Sequence, residues 1–183
     1  MQISDSNSGY GWASIALHWA VFIAVATLFI LGQQLDDLEP SSQAARAIRG
    51  LHVSIGMGAA VLILARFFWR LRRGVPANLE GTHLTDKLAM AVRIALLATL
   101  LVLIVTGPLN VWSGGRAIAF FDLFAIPSPM GRIEWLHEAL EEIHEIAANA
   151  LLPLVGLHVL GALKHLVLDR DGRFQAMLRP RQA

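Results

Sequence analysis

The residues in this chain best suited to chemistry are histidines in the wrong solvent. His144, His158 and His165 fall in or at the end of the apolar stretch IHEIAANALLPLVGLHVLGALKHLVL, and His18 and His52 fall in two further apolar stretches. An imidazole in hydrocarbon is costly unless it faces a bundle interior or a cavity and finds a partner there, so each ring marks a candidate site. His144 and His158 are fourteen residues apart. On a helix that spacing gives nearly one face and about 21 Å along the axis, so two sites would be stacked through a membrane. Cysteine is absent, which excludes disulfides, thiolate metal sites, iron-sulfur clusters and covalent haem attachment through C-x-x-C-H.

The elements that must position these rings follow from the composition. With 183 residues, 55% of them hydrophobic, and a positive mean hydropathy, the chain fits one membrane bundle better than a soluble domain. Apolar runs predict transmembrane helices at about 13–32, 51–71, 88–109 and 143–168 in a single 1–183 domain, an all-α integral membrane four-helix bundle. The lead from Met1 to Trp12 reads as a loosely held polar tail. The first run is not preceded by Lys or Arg and ends in Gly32-Gln33-Gln34, so it reads as a retained helix rather than a signal peptide. Residues 110–142 read as a cap loop on the outer surface, rich in Phe, Trp and Pro, with Glu134 to Glu142 a candidate helical lead into the fourth span. His83 reads as a solvated loop residue, His137 as part of the outer cap and His165 as an edge residue on the other side.

Charge sets the expected orientation. Arg46, Arg49, Arg116 and Arg132 fall on one side, and the remaining Lys and Arg fall on the other or within its helix ends. The positive-inside rule then puts both termini in the cytoplasm. With four spans in that sense, His18 comes level with His158, and His52 with His144. Two facing imidazoles across a helix bundle are the axial arrangement of a low-spin b-type haem. A bare metal is the competing reading, kept open by Glu145 beside His144; hydrogen-bonded core histidines are the plain one. Gly56, Gly58 and Ala59 near His52 either let helices pack closely or leave space for a flat macrocycle.

The runs LHVSIGMGAAVLILARFFWRLRR, SIALHW, IHEIAANALLPLVGLH and AMLRP resemble the bacterial cytochrome b561 family, in particular its short di-haem branch similar to superoxide oxidase. The resemblance implies two non-covalent haem b groups with His18, His52, His144 and His158 as axial ligands of the iron, each haem taking one histidine from the fourth helix. It also implies electron transfer across a bacterial inner membrane, from periplasmic superoxide to ubiquinone. The chain departs from the family at Met90 and Arg93, where histidines are often found.

Three further residues are expected at the cofactors: Arg66 or Arg93 neutralising an inner haem propionate or contacting quinone, and Arg116 near the outer haem. The outer segments hold more Asp and Glu than Arg, which would repel superoxide unless Arg46, Arg49 or Arg116 focuses a local positive patch. The alternative activity is a cytochrome anchor subunit that links a partner dehydrogenase to the quinone pool. A haem-free metal transporter is the third function class. Nucleic acid is not an expected partner.

Overall fold

The computed structural model describes residues 2–7, 9–74, 76 and 84–180. Its elements in order are α1 (Trp12–Asp36), α2 (Gln43–Arg73), α3 (Leu84–Ser113), β1 (Ile118–Phe120), β2 (Phe124–Ile126) and α4 (Glu134–Lys164). A π-helical turn, His165–Asp169, continues α4, and a 3-10 turn, Gln175–Met177, follows. His83 lies outside the described residues.

All four helices are long and apolar enough to cross a membrane, and no more than 17% of any apolar window is buried inside the fold. Side chains such as Val61, Ile94 and Leu160 point outward. Such a surface is stable only against lipid, because in water it would far exceed the apolar patch a soluble protein exposes. The protein is therefore a membrane bundle of four helices.

Contacts between Cα atoms group the chain into two units. The first comprises Met1–Ala20, Leu62–Ala98 and Ala150–Ala183; the second comprises Val21–Val61 and Thr99–Asn149. Ile15, Ile63, Val92, Leu151 and Ala176 form the buried apolar centre of the first, and Val21, Ala45, Ala59, Ile118, Leu140 and Ala147 that of the second.

Helix ends lie further out than the apolar runs suggest. α2 begins at Gln43, eight residues before Leu51, because the Ser42 hydroxyl accepts the Ala45 N–H at 3.0 Å and caps a polar first turn. It stops at Gly74, whose φ of +67° suits glycine, and its last turn carries Arg70, Arg72 and Arg73 against the negative helix end. α4 begins at Glu134, so the connection expected over 110–142 shrinks to 114–133 and is not all loop. Within it β1 and β2 pair antiparallel, with Ala119 opposite Ala125. This hairpin is the one departure from an all-α fold among the described residues.

The N-terminal lead is also not a loose tail. Asp5 accepts the Gly11 N–H at 2.8 Å and the Ser14 hydroxyl at 2.7 Å. The Trp12 and Ala13 N–H groups donate to the carbonyls of Gln2 and Ile3, so donors that a helix start leaves open find partners in the lead. Gly11 makes this possible, since a Cβ there would stand 2.3 Å from the Ile3 carbonyl oxygen.

Candidate functional site

In the first unit α1 and α4 bring His18 and His158 face to face, ring centres 6.1 Å apart and planes at 62°. In the second unit α2 and α4 do the same for His52 and His144, at 6.3 Å and 70°. Two imidazoles on opposite sides of one metal, each with a metal–nitrogen bond of about 2.0 Å, place their ring centres roughly 6 Å apart. Hydrogen-bonded or stacked rings would stand closer. Among the described residues, neither pair is grouped with a third His, Cys, Asp or Glu donor; the only such trio is His165, Asp169 and Asp171. Two ligands alone leave zinc or copper short. A macrocycle that supplies four in-plane nitrogens needs just these two axial ones, so the donor set fits haem better than a bare ion.

Small residues and one hydroxyl complete the second pair. A Cβ on Gly107 would lie 3.5 Å from His144 Cε1, and one on Gly32 would lie 3.8 Å from His52 Cε1. Of the glycines near His52, a Cβ on Gly56 would lie 3.9 Å from Leu28 Cδ2, an ordinary packing contact, and one on Gly58 would meet open space, as the two readings of this stretch allow. Thr106, 5% exposed, holds His144 through a 2.8 Å contact between Oγ1 and Nδ1. The Thr106 hydroxyl proton goes to the Val102 carbonyl at 2.9 Å, so the threonine oxygen accepts and His144 Nδ1–H donates. That leaves Nε2 with its lone pair free to bind a metal. His52 Nδ1 is buried without a well-formed hydrogen bond, and the Leu28 backbone lies within electrostatic reach. Gly107 and Pro108 read in the sequence as the outer end of the third helix, but α3 continues to Ser113. Thr106 is not singled out by any local pattern, although Thr106-Gly107-Pro108 interrupting an apolar helix is a signal that polar side chains and space are needed there.

The arginines divide between the two pairs. Arg66 Nη1 donates to the Ser14 carbonyl at 3.4 Å, and its charge bears on both His18 and His158. Arg93 lies on an exposed part of α3, within electrostatic reach of His158. Arg116 follows α3 in the second unit, grouped with Arg49, Arg132 and Glu141; partial burial first, and then the like charge of Arg49, hold its pKa below the ordinary guanidinium value. A Cβ on Gly114 would lie 3.4 Å from Arg116 Nε and 3.3 Å from His137 Cε1. Arg46 instead donates to the nearby Ser41 carbonyl.

The other histidines have other partners. His137 Nδ1–H donates to the Asn110 carbonyl at 3.0 Å. His165 Nδ1 meets Asp171 at 2.9 Å and Asp169 at 3.0 Å.

Four lipid-facing helices carrying opposed imidazole pairs define a membrane b-type cytochrome, a protein that transfers electrons. The family model described as prokaryotic cytochrome b561 matches residues 9–180, and the chain belongs to that family. It is similar to "Cytochrome b562" of Cereibacter sphaeroides, with 31% identity over 94% of this chain and 97% of the relative. It is also similar to "Cytochrome b561 homolog 2" of Escherichia coli (strain K12), with 27% identity over 97% and 95%.

Proposed function

We propose that the protein binds two haem b groups, one between His18 and His158 and one between His52 and His144, and carries electrons from superoxide to ubiquinone. In this reading it spans a bacterial inner membrane with both termini in the cytoplasm, as the distribution of Lys and Arg favours. The observation that carries the haem count is the pair of ring separations, 6.1 Å and 6.3 Å. Haem supplies reversible one-electron redox chemistry.

The chain's own tasks are to ligate, space and tune. A haem held by two histidines would have no open position for oxygen species, so a donor would give up its electron at the periphery of the site. Each superoxide that loses one electron leaves as dioxygen, and two electrons with two protons convert ubiquinone to ubiquinol. Arg49 and Arg132 lie within electrostatic reach of Arg116 in the second unit, Arg132 being paired with Glu134, and the charge of Arg49 and Arg116 supports recruitment of a small anion despite the acidic outer segments. Arg116→Ala is expected to slow the reaction with superoxide and flatten its dependence on ionic strength, while haem content holds. Stopped-flow traces at two salt concentrations would show an unchanged slope if the patch plays no part.

Arg66, placed by the Ser14 carbonyl, is the guanidinium we assign to an inner propionate or to quinone. Arg66→Gln is expected to lower the midpoint potential of the inner haem, because a positive charge favours the electron-rich state. A redox titration with both midpoints unmoved, together with wild-type quinone reduction, would take Arg66 out of this role.

The anchor reading rests on a different observation: Glu138, Glu141, Glu142 and Glu145 are all exposed near the start of α4, a face suited to a basic partner such as a dehydrogenase subunit. Superoxide added to the oxidised protein, with and without ubiquinone, separates the two. Haem reduction that ubiquinone reverses supports the oxidase; no reduction favours the anchor.

A further inference from the structure

The hairpin β1–β2 is tied to α2 at a depth its sequence does not suggest. Ser54 lies three residues inside the apolar run that starts at Leu51, two residues beyond His52, and is 4% exposed. The Phe121 N–H donates to Ser54 Oγ at 3.0 Å, and Ser54 Oγ donates to the Ala119 carbonyl at 3.2 Å. One side chain therefore satisfies the Ala119 carbonyl of β1 and the N–H of Phe121 in the turn that follows it. An open strand edge is tolerable in water but not in hydrocarbon, where each unpaired backbone group must find a partner within the protein.

The outward side chains match that setting. Phe121, Leu123, Phe124 and Ile126 are 48%, 76%, 52% and 38% exposed. Between Arg116 and Arg132 the only charged residue is Asp122. Trp135, 71% exposed in the first turn of α4, is the residue type that sits at a lipid–water boundary. The turn itself holds Phe121 at φ +43° and Asp122 at +58°. Glycine or asparagine fits such a turn with less strain, and a bulky ring there is an outlier. The backbone tolerates strain in order to keep an apolar side chain at the tip.

We infer that the 118–126 hairpin is a membrane-inserted element whose apolar face is covered by the acyl chains of the leaflet around the start of α2. Its exposed side chains are apolar at Phe121, Leu123, Phe124 and Ile126, and the β1 edge that meets α2 is closed by Ser54. The inference depends on the membrane-spanning fold and not on the substrate proposed above, so either can fail alone.

The chain has no cysteine, so one substitution gives a unique spin label. Leu123→Cys, labelled in the full-length holoprotein and reconstituted into phosphatidylcholine vesicles, is compared with Glu39→Cys in the exposed connection before α2. Power saturation is expected to give several-fold higher accessibility to dissolved oxygen than to a water-soluble nickel chelate at position 123, and the reverse at position 39. Chelate accessibility equal to that at position 39 would overturn insertion. Shielding from both reagents would overturn it in favour of cover by a second copy or another protein. Phe121→Gly in the labelled background relieves the turn and keeps the fold; it is expected to raise chelate accessibility at position 123 with no loss of thermal stability. An unchanged label depth would refute a role for the ring in holding the hairpin in lipid.

Discussion

Alanine at His158 is expected to cost the protein one of the two haems proposed above, and alanine at His18 in the same chain is expected to cost no more. The two rings stand 6.1 Å apart; sharing one metal, as proposed, they would act as a unit, and mutations within a unit are not additive. Either single change would leave one imidazole at that site, too few to retain the group through purification. His18→Ala with His144→Ala, taken from different pairs, is expected to empty both sites. Pyridine haemochrome assays on purified protein give the stoichiometry directly. If His18→Ala with His158→Ala lost two haems, or if His18→Ala with His52→Ala lost one, the pairing would be wrong. Loss of a site is also expected to lower thermal stability, since a ligand bound only by the folded form stabilises it by mass action.

Thr106→Val is expected to weaken the haem between His52 and His144 by about 10- to 100-fold, the usual consequence of removing a hydrogen-bond partner behind a metal-bound histidine. Valine keeps the shape of threonine but leaves the His144 Nδ1–H buried without an acceptor, at a cost of about 1–3 kcal/mol. The midpoint potential at that site is expected to rise, because an imidazole that no longer donates through Nδ1 is a poorer electron donor to ferric iron. Thr106→Ser, which restores the hydroxyl, is expected to recover both. A titration in which Thr106→Val moves neither affinity nor potential would show that the 2.8 Å contact does not tune the site.

Helix count and the two histidine pairings were readable in the sequence because both rest on one-dimensional rules. Apolar length marks a span, and alternating direction through a bilayer makes residues at matching distances from opposite ends meet. Helix ends were less readable: a hydropathy rule sees only the part in lipid, while α2 starts at Gln43 under a Ser42 cap and α4 starts at Glu134. The hairpin was hidden because its turn uses Phe121 and Asp122 at positive φ, where a turn signal would be glycine or asparagine. Gly56 and Gly58 drew attention by standing near His52 in sequence. Gly32 and Gly107 reach the rings through tertiary packing, which no local pattern records. Arg66 and Arg93 are legible as charges within or beside apolar runs, and Arg116 as a charge in the outer connection. What distinguishes Arg66 from Arg93 is the Ser14 carbonyl, a contact across 52 positions.

Ser14 joins three parts of the first unit. Its hydroxyl donates to Asp5 and accepts from Trp69 Nε1 at 2.8 Å, and its carbonyl takes Arg66. Asp5 also faces Arg70 at 3.7 Å. A variant trimmed of its opening half-dozen amino acids would keep all four paired histidines, yet lose the Asp5 carboxylate that holds the Ser14 hydroxyl beside the carbonyl taken by Arg66. With a haem held between His18 and His158 as proposed, the voltage at which that centre fills is expected to respond to a polar leader remote from the hallmark motifs, so that tagging or trimming it would retune a redox wire.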